Sequence, residues 1–197
     1  MNTDFPRGVD GVGANINSAA CFLCSSPHVP EQREGLPCVK AIFAGSFDPP
    51  TFGHLDLVLR ARSLFAEVHV LVAVNVQKRY LLSECERVDL MRQVLGDRPG
   101  VYVFPWRSLV VTYARDVGAR VLVRGVRNAT DFCQEFDLAW VHRALDAGLE
   151  TVFLAAKPCY AALRSSMVRE VASFGGDVST FVPRVVARLL QEKFTQA

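Results

Sequence analysis

Between residues 39 and 154, five short runs of apolar and β-branched residues alternate with longer stretches whose apolar residues recur at helical spacing. The runs are 39–44, 68–74, 101–104, 120–123 and 151–154; between the first two, Leu55, Val58, Leu59 and Phe65 fall on one helical face. Strands that are apolar on both faces must be covered on both faces. A strand–helix alternation achieves this with parallel strands in one sheet and helices on each side. The expected fold is therefore α/β, a doubly wound five-stranded parallel sheet in a single domain over 38–197. Ser83 with Glu86 forms a capping box ahead of Val88, Leu90, Met91 and Val94. Gly118 is placed to stop a helix over 111–117. Ligands of such sheets bind beyond the carboxyl ends of the strands, at a topological switch point. The chemistry is to be sought in the segments that follow each run.

The chain has 197 residues, half of them apolar, enough for one good core. With 22 basic and 20 acidic residues its formal charge is +2. Such a balance provides no overall field for nucleic acid or an anionic membrane, so neither is expected as a partner, and anion binding must come from a local cluster. No apolar run approaches the ~18 residues of a membrane span. The stretch 16–23 is too short and polar for a signal-peptide core, so a cytoplasmic location is expected.

Residues 1–37 are rich in Gly, Ser, Asn and Pro, lack periodicity and end in a charged, breaker-rich segment. Such a segment buries too little apolar surface to offset its ordering entropy, and a disordered, dispensable N-terminal extension is expected. Cys21 and Cys24, with His28 and Cys38 nearby, have suggestive spacing. A structural metal site needs four well-placed ligands and a redox motif sits at a helix start after a strand; neither context is visible, so no metal site is read there. Cys85 and Cys133 fall inside helical patterns and are expected as small buried hydrophobes.

The first run leads into Gly45-Ser46-Phe47-Asp48-Pro49-Pro50-Thr51-Phe52-Gly53-His54 and then a helix. A strand–loop–helix junction aims free backbone N–H groups and the positive helix end at one spot, a ready phosphate site. It is neither a Walker loop nor Gly-x-Gly-x-x-Gly. His54, in the first helical turn, either bonds a polyphosphate or caps its own helix. After the second run come Lys78 and Arg79, an unremarkable pair in isolation. After the fourth come Arg124-Gly125-Val126-Arg127 and an acidic-headed helix. The two arginines either face a phosphate across a close-approaching glycine backbone or pair with Asp131 and Glu135. After the fifth come Arg164-Ser165-Ser166, where Ser165 either caps a helix or binds phosphate at its start. Four of the five strand ends thus carry polyphosphate chemistry.

These segments, together with Lys78, Glu135 and Ser165-Ser-Met-Val-Arg-Glu170, resemble the bacterial phosphopantetheine adenylyltransferases over about 39–194. That family belongs to the nucleotidyltransferase superfamily with a Thr- or His-x-Gly-His signature. The resemblance implies a Rossmann-like fold, a magnesium–ATP donor, 4′-phosphopantetheine as acceptor and a homohexamer acting in coenzyme A synthesis. By motif, Ser46, Phe47 and His54 would hold the ATP phosphates, Ser46 also touching the acceptor phosphate. Lys78 and Arg124 would grip that phosphate and Val110 would line the channel for the pantetheine arm. Gly125, Val126, Arg127, Glu135, Tyr160, Ala161, Ala162, Leu163, Arg164, Ser165 and Ser166 would bind ATP. His54, Lys78, Arg124 and Arg127 would supply catalysis. The chain departs from the family pattern at Ser46 (commonly threonine), Phe52, Tyr160 and Arg164.

An acceptor that is already a phosphate anion needs no general base, in keeping with the lack of an obvious carboxylate pair or Ser–His–Asp arrangement in these motifs. Catalysis would come from aligning two anions and stabilising charge on the α-phosphoryl group. Magnesium would be held by phosphates and water rather than by a carboxylate cage. Coenzyme A, which joins both halves of the product, is the expected feedback inhibitor. The rival readings are a nucleotidyltransferase with a nicotinamide mononucleotide, phosphocholine or phosphoglycerol acceptor, and a non-catalytic nucleotide sensor on the same fold.

Overall fold

In the computed structural model, residues 39–75 and 77–195 are described. The expectations for residues 1–37 and for Cys21, Cys24, His28 and Cys38 lie outside them. The order is β1 (Lys40–Gly45), α1 (Phe52–Leu64), β2 (Glu67–Ala73), α2 (Glu84–Leu95), β3 (Val101–Trp106), α3 (Val110–Val117), β4 (Val121–Val126), α4 (Ala129–Leu145), β5 (Glu150–Ala155), α5 (Ser165–Ser173) and α6 (Arg184–Thr195). A short 3-10 turn, Pro158–Tyr160, precedes α5. The five strands form one parallel sheet in the order β3-β2-β1-β4-β5. The chain winds outward from β1 to β3, returns through α3, and winds the other way from β4. The switch point therefore lies between β1 and β4, which places the ends of those two strands over one crevice.

The expected α/β fold is the one observed, with all five runs in strands. Side-chain alternation sends Phe43, Val70 and Val123 to one face, where α1 and α2 cover them with Val58, Ala61, Met91 and Leu95. Ile42, Leu71 and Leu122 go to the other face, under Val111 and Ala114 of α3. A third cluster joins α5 and α6 to α2, with Val168, Val186 and Leu190 packed around Leu82 and Leu90. Both local signals act as read. Ser83 and Glu86 form a reciprocal capping box, and Gly118 ends α3 in the left-handed region (φ 67°, ψ 27°).

Two expectations fail. Cys85 and Cys133 are exposed, not buried. The buried residues of α2 begin at Arg87, so Cys85 lies before the stripe that meets the core. No residue of α4 is buried, so a cysteine there has no core to enter. The glycine of Arg124-Gly125 also serves a purpose not foreseen. A Cβ at Gly125 would lie 2.3 Å from Leu57 Cδ1, so the glycine admits the close approach of α1 onto β4.

Candidate active site

The β1–α1 loop begins the site. Phe47 is buried and holds φ at 49°, turning the chain sharply between Ser46 and Asp48. Thr51 is the N-cap of α1, its hydroxyl accepting from His54 N–H (3.4 Å). His54 Nδ1 accepts in return from the Thr51 backbone N–H (3.1 Å) and lies 3.1 Å from the Thr51 hydroxyl. His54 therefore does cap its own helix. The same bond decides its tautomer: with Nδ1 an acceptor, the ring proton sits on Nε2. The cap, one of the two roles the sequence posed as alternatives, uses only the Nδ1 edge of the imidazole. The ring stands edge-on to Phe47, with centroids 5.2 Å apart.

Burial, aided by the positive charge of Arg127, lowers the His54 pKa to about 4. The imidazole is neutral at physiological pH, a hydrogen-bond donor rather than a cation. Its pKa in the folded state lies below the unfolded value of 6.5. Between the two values the unfolded chain binds more protons, so this contribution is complete above pH 6.5 and is lost as pH falls towards 4. It amounts to roughly 3 kcal/mol. Titration of the His54 ring by NMR is expected to have its midpoint near 4. Wild-type stability should fall more steeply than that of His54→Gln over the same range. A midpoint near 6.5 would contradict the neutral-donor reading.

The β4 end supplies the arginines. Arg124 donates through Nε and Nη2 to both Glu135 oxygens (2.5 and 2.6 Å) and through Nη1 to the carbonyl of Ala44 (2.8 Å). Arg127 donates through Nε to Asp131 (2.6 Å) and through Nη1 to the carbonyl of Leu163 (3.0 Å). Pairing with Glu135 and Asp131 is thus present. It still leaves Arg124 one N–H on each terminal nitrogen, a fork for an incoming oxyanion.

Ser165 opens α5 but is not its N-cap: Arg164 holds that position without a side-chain cap bond. The Ser165 hydroxyl donates instead to the carbonyl of Pro49 (2.8 Å), tying α5 to the β1–α1 loop. Tyr160 packs beside Gly53, where an added Cβ would meet Tyr160 Cβ at 3.5 Å, an ordinary contact. The structure thus links Ser46–His54, Arg124–Arg127 and 160–165 around the switch point. Lys78 is exposed, and its ammonium has no partner among the described residues. Val110 packs with Trp106 and Val117 against the core under α3.

Several contributors carry no sequence-level assignment. Asp48, 2% exposed, is bonded to the backbone of Leu81 and Leu82 and to Arg169. Arg87, 1% exposed, donates to the carbonyls of Ser46 (2.7 Å) and Ala73 (3.1 Å). The available signal was a charged residue inside the apolar stripe of α2. His142 Nδ1 is buried without a hydrogen-bond partner among the described residues. Burial first, and Arg124 second, lowers its pKa.

Residues 42–171 match the cytidylyltransferase-like family model. A phosphopantetheine adenylyltransferase of Treponema pallidum (strain Nichols) is 99% identical over 159 residues, covering 81% of this chain and 100% of that relative. The chain belongs to the phosphopantetheine adenylyltransferase family. It is, by that membership, a nucleotidyltransferase. A family member from Caldanaerobacter subterraneus subsp. tengcongensis is 44% identical over 157 residues, covering 80% of this chain and 98% of the relative. Among solved structures, a putative nicotinate-nucleotide adenylyltransferase from Vibrio parahaemolyticus matches with a TM-score of 0.55 at 22% identity, over 80% of this chain and 96% of that one. This structural likeness establishes the shared fold. Among the described residues, no helix is long and apolar enough to cross a membrane.

Proposed function

We propose that this chain transfers AMP from ATP to 4′-phosphopantetheine, giving dephospho-coenzyme A and pyrophosphate, in line and without a covalent intermediate. The observation that carries this reading is the neutral His54. Its Nδ1 is occupied by the helix cap, its Nε2–H is the donor, and it stands in the first turn of α1, near enough to Arg127 to feel its charge. An oxygen of the acceptor phosphate attacks the α-phosphorus of ATP. The new P–O bond forms as the bond to the β-phosphate oxygen breaks, and pyrophosphate leaves with that electron pair. His54 Nε2–H donates to a non-bridging oxygen of the α-phosphoryl group, and the bond strengthens as charge accumulates there.

Lys78, the Arg124 fork and the Ser46 hydroxyl hold the acceptor phosphate, and Val110 borders the pantetheine arm. Phe47, Gly125, Val126, Arg127, Glu135 and the segment Tyr160, Ala161, Ala162, Leu163, Arg164, Ser165 and Ser166 hold ATP. Both carboxylates nearest the arginines are already paired, and Asp48 has both oxygens bonded. That donor set suits a magnesium ion that arrives on the ATP phosphates, where it would neutralise charge on the leaving pyrophosphate.

Phe132, Phe136, Trp140 and Val141 on α4 are between 42% and 61% exposed, an apolar surface that assembly into a homohexamer would bury. A chain that consumes ATP is assigned to the cytoplasm, where that nucleotide is made. Coenzyme A contains both halves of the product and is assigned to the same crevice as a feedback inhibitor. The test is pyrophosphate release in the presence of magnesium and ATP, with 4′-phosphopantetheine, nicotinamide mononucleotide or no acceptor. Turnover is expected with the first alone, with coenzyme A competitive against the acceptor. ATP binding without turnover on any acceptor would favour the nucleotide sensor.

A further inference from the structure

We propose that Asp48 is a positioning residue for the acceptor: its buried carboxylate sets where Lys78 stands relative to the nucleotide loop. The proposal rests on the reading that Lys78 grips the acceptor phosphate. Lys78 lies in the connection between β2 and α2, and its side chain is exposed. Nothing about that side chain fixes its own place, so the ends of the connection must. At the near end, Asn75 N–H donates to the Tyr80 hydroxyl (2.8 Å) and Lys78 N–H to the Asn75 carbonyl (3.0 Å). The Arg87 guanidinium lies 4.1 Å over the Tyr80 ring while donating to the carbonyls of Ala73 and Ser46.

At the far end the two Asp48 oxygens take the Leu82 N–H (2.9 Å) and the Leu81 N–H (3.0 Å). Arg169 of α5 donates to the second oxygen at 3.0 Å and also to the Asp48 carbonyl. Both ends of the Lys78 segment are therefore fastened to the β1–α1 loop, one at Ser46 and one at Asp48. That loop runs directly into α1, whose first turn carries His54. The acceptor cation and the phosphate donor are thus placed from one short piece of backbone, where errors of about 1 Å between reacting groups cost much of the rate. A carboxylate is required because three donors converge on two oxygens and neutralise a buried charge. An amide of the same shape would turn its NH2 towards a backbone N–H and leave both unsatisfied.

The experiment compares Asp48→Asn, Lys78→Ala and the double variant, with KM for acceptor and for ATP from pyrophosphate release and a melting curve for each. Asp48→Asn is expected to raise the acceptor KM about tenfold and the ATP KM less than about threefold. Added to Lys78→Ala, the same change should cost less than about twofold, because the route through Lys78 is already lost. Additive losses, or equal losses for both substrates, would overturn the proposal as a mere loosening of the fold. An unchanged acceptor KM in Lys78→Ala would instead remove the premise that Lys78 binds the acceptor, and the proposal with it. If Asp48→Asn does not fold, Arg169→Met frees the carboxylate from its other side. The same acceptor-selective, Lys78-dependent pattern is then expected at smaller size, and its absence is again fatal.

Discussion

Replacing His54 with alanine is expected to lower kcat by about two to three orders of magnitude while the chain still folds. That is the size of effect seen when one preorganised donor is removed from a transition-state oxyanion. The imidazole has two edges with separate tasks. Its Nδ1 completes the α1 capping box with Thr51, and loss of this half of the cap should cost about 1 kcal/mol of stability. Its Nε2–H faces the reaction in our reading. The two losses separate in His54→Glu, because glutamate at the third helical position rebuilds the box. That variant should regain the cap and remain inactive, since a carboxylate repels the phosphate that the imidazole N–H attracts. Steady-state rates and thermal unfolding on the same preparations provide the check. Near-normal turnover in His54→Ala would leave His54 as a cap alone.

Alanine at Arg124 should weaken acceptor binding still more than alanine at Lys78, with ATP binding little changed in both. Removing one charge-assisted hydrogen bond costs about 1.5–3 kcal/mol, or roughly ten- to hundredfold in affinity, and this is the loss expected for exposed Lys78. Arg124 is bonded to both oxygens of Glu135, a residue with only 20% of its side chain exposed. Its removal also leaves a partly buried carboxylate unpaired at the mouth of an anion site, so the loss should reach or exceed the upper end of that range. Arg124→Ala with Glu135→Gln should recover part of it. Calorimetric titration with acceptor and with ATP measures both. Equal losses for the two ligands would contradict the assignment of Lys78 and Arg124 to the acceptor.

Not every exposed feature reads in the same way. The stripe of α4 that leans towards the sheet is Asp131, Glu135, Ala139 and His142, while Phe136, Leu138 and Trp140 lie outward and Phe132, though exposed, meets the Phe153 ring of β5. The periodicity of α4 identified a helix but gave no warning of this inversion, since a pattern repeating every 3.6 residues does not say which side meets the chain's own core. The buried cysteine expected at Cys133 failed for that reason.

What the sequence determined by itself was whatever depends on short-range spacing. Five runs apolar on both faces require a covered parallel sheet, and the residues following them gather at its carboxyl edge because every strand points the same way. Ser83 with Glu86 and the stop at Gly118 act within a few residues, and both held. Only the tertiary structure decided the contacts between distant segments. These include the Asp48 carboxylate receiving Leu81, Leu82 and Arg169, the Arg87 guanidinium reaching Ser46 and Ala73, and Leu57 filling the space that Gly125 leaves open. That His54 caps its own helix was likewise decided only in three dimensions, where one ring nitrogen is spent on Thr51 and the other keeps the proton. A linear pattern specifies which residue types recur. Burial and hydrogen-bond geometry depend on what the rest of the fold brings within about 3 Å.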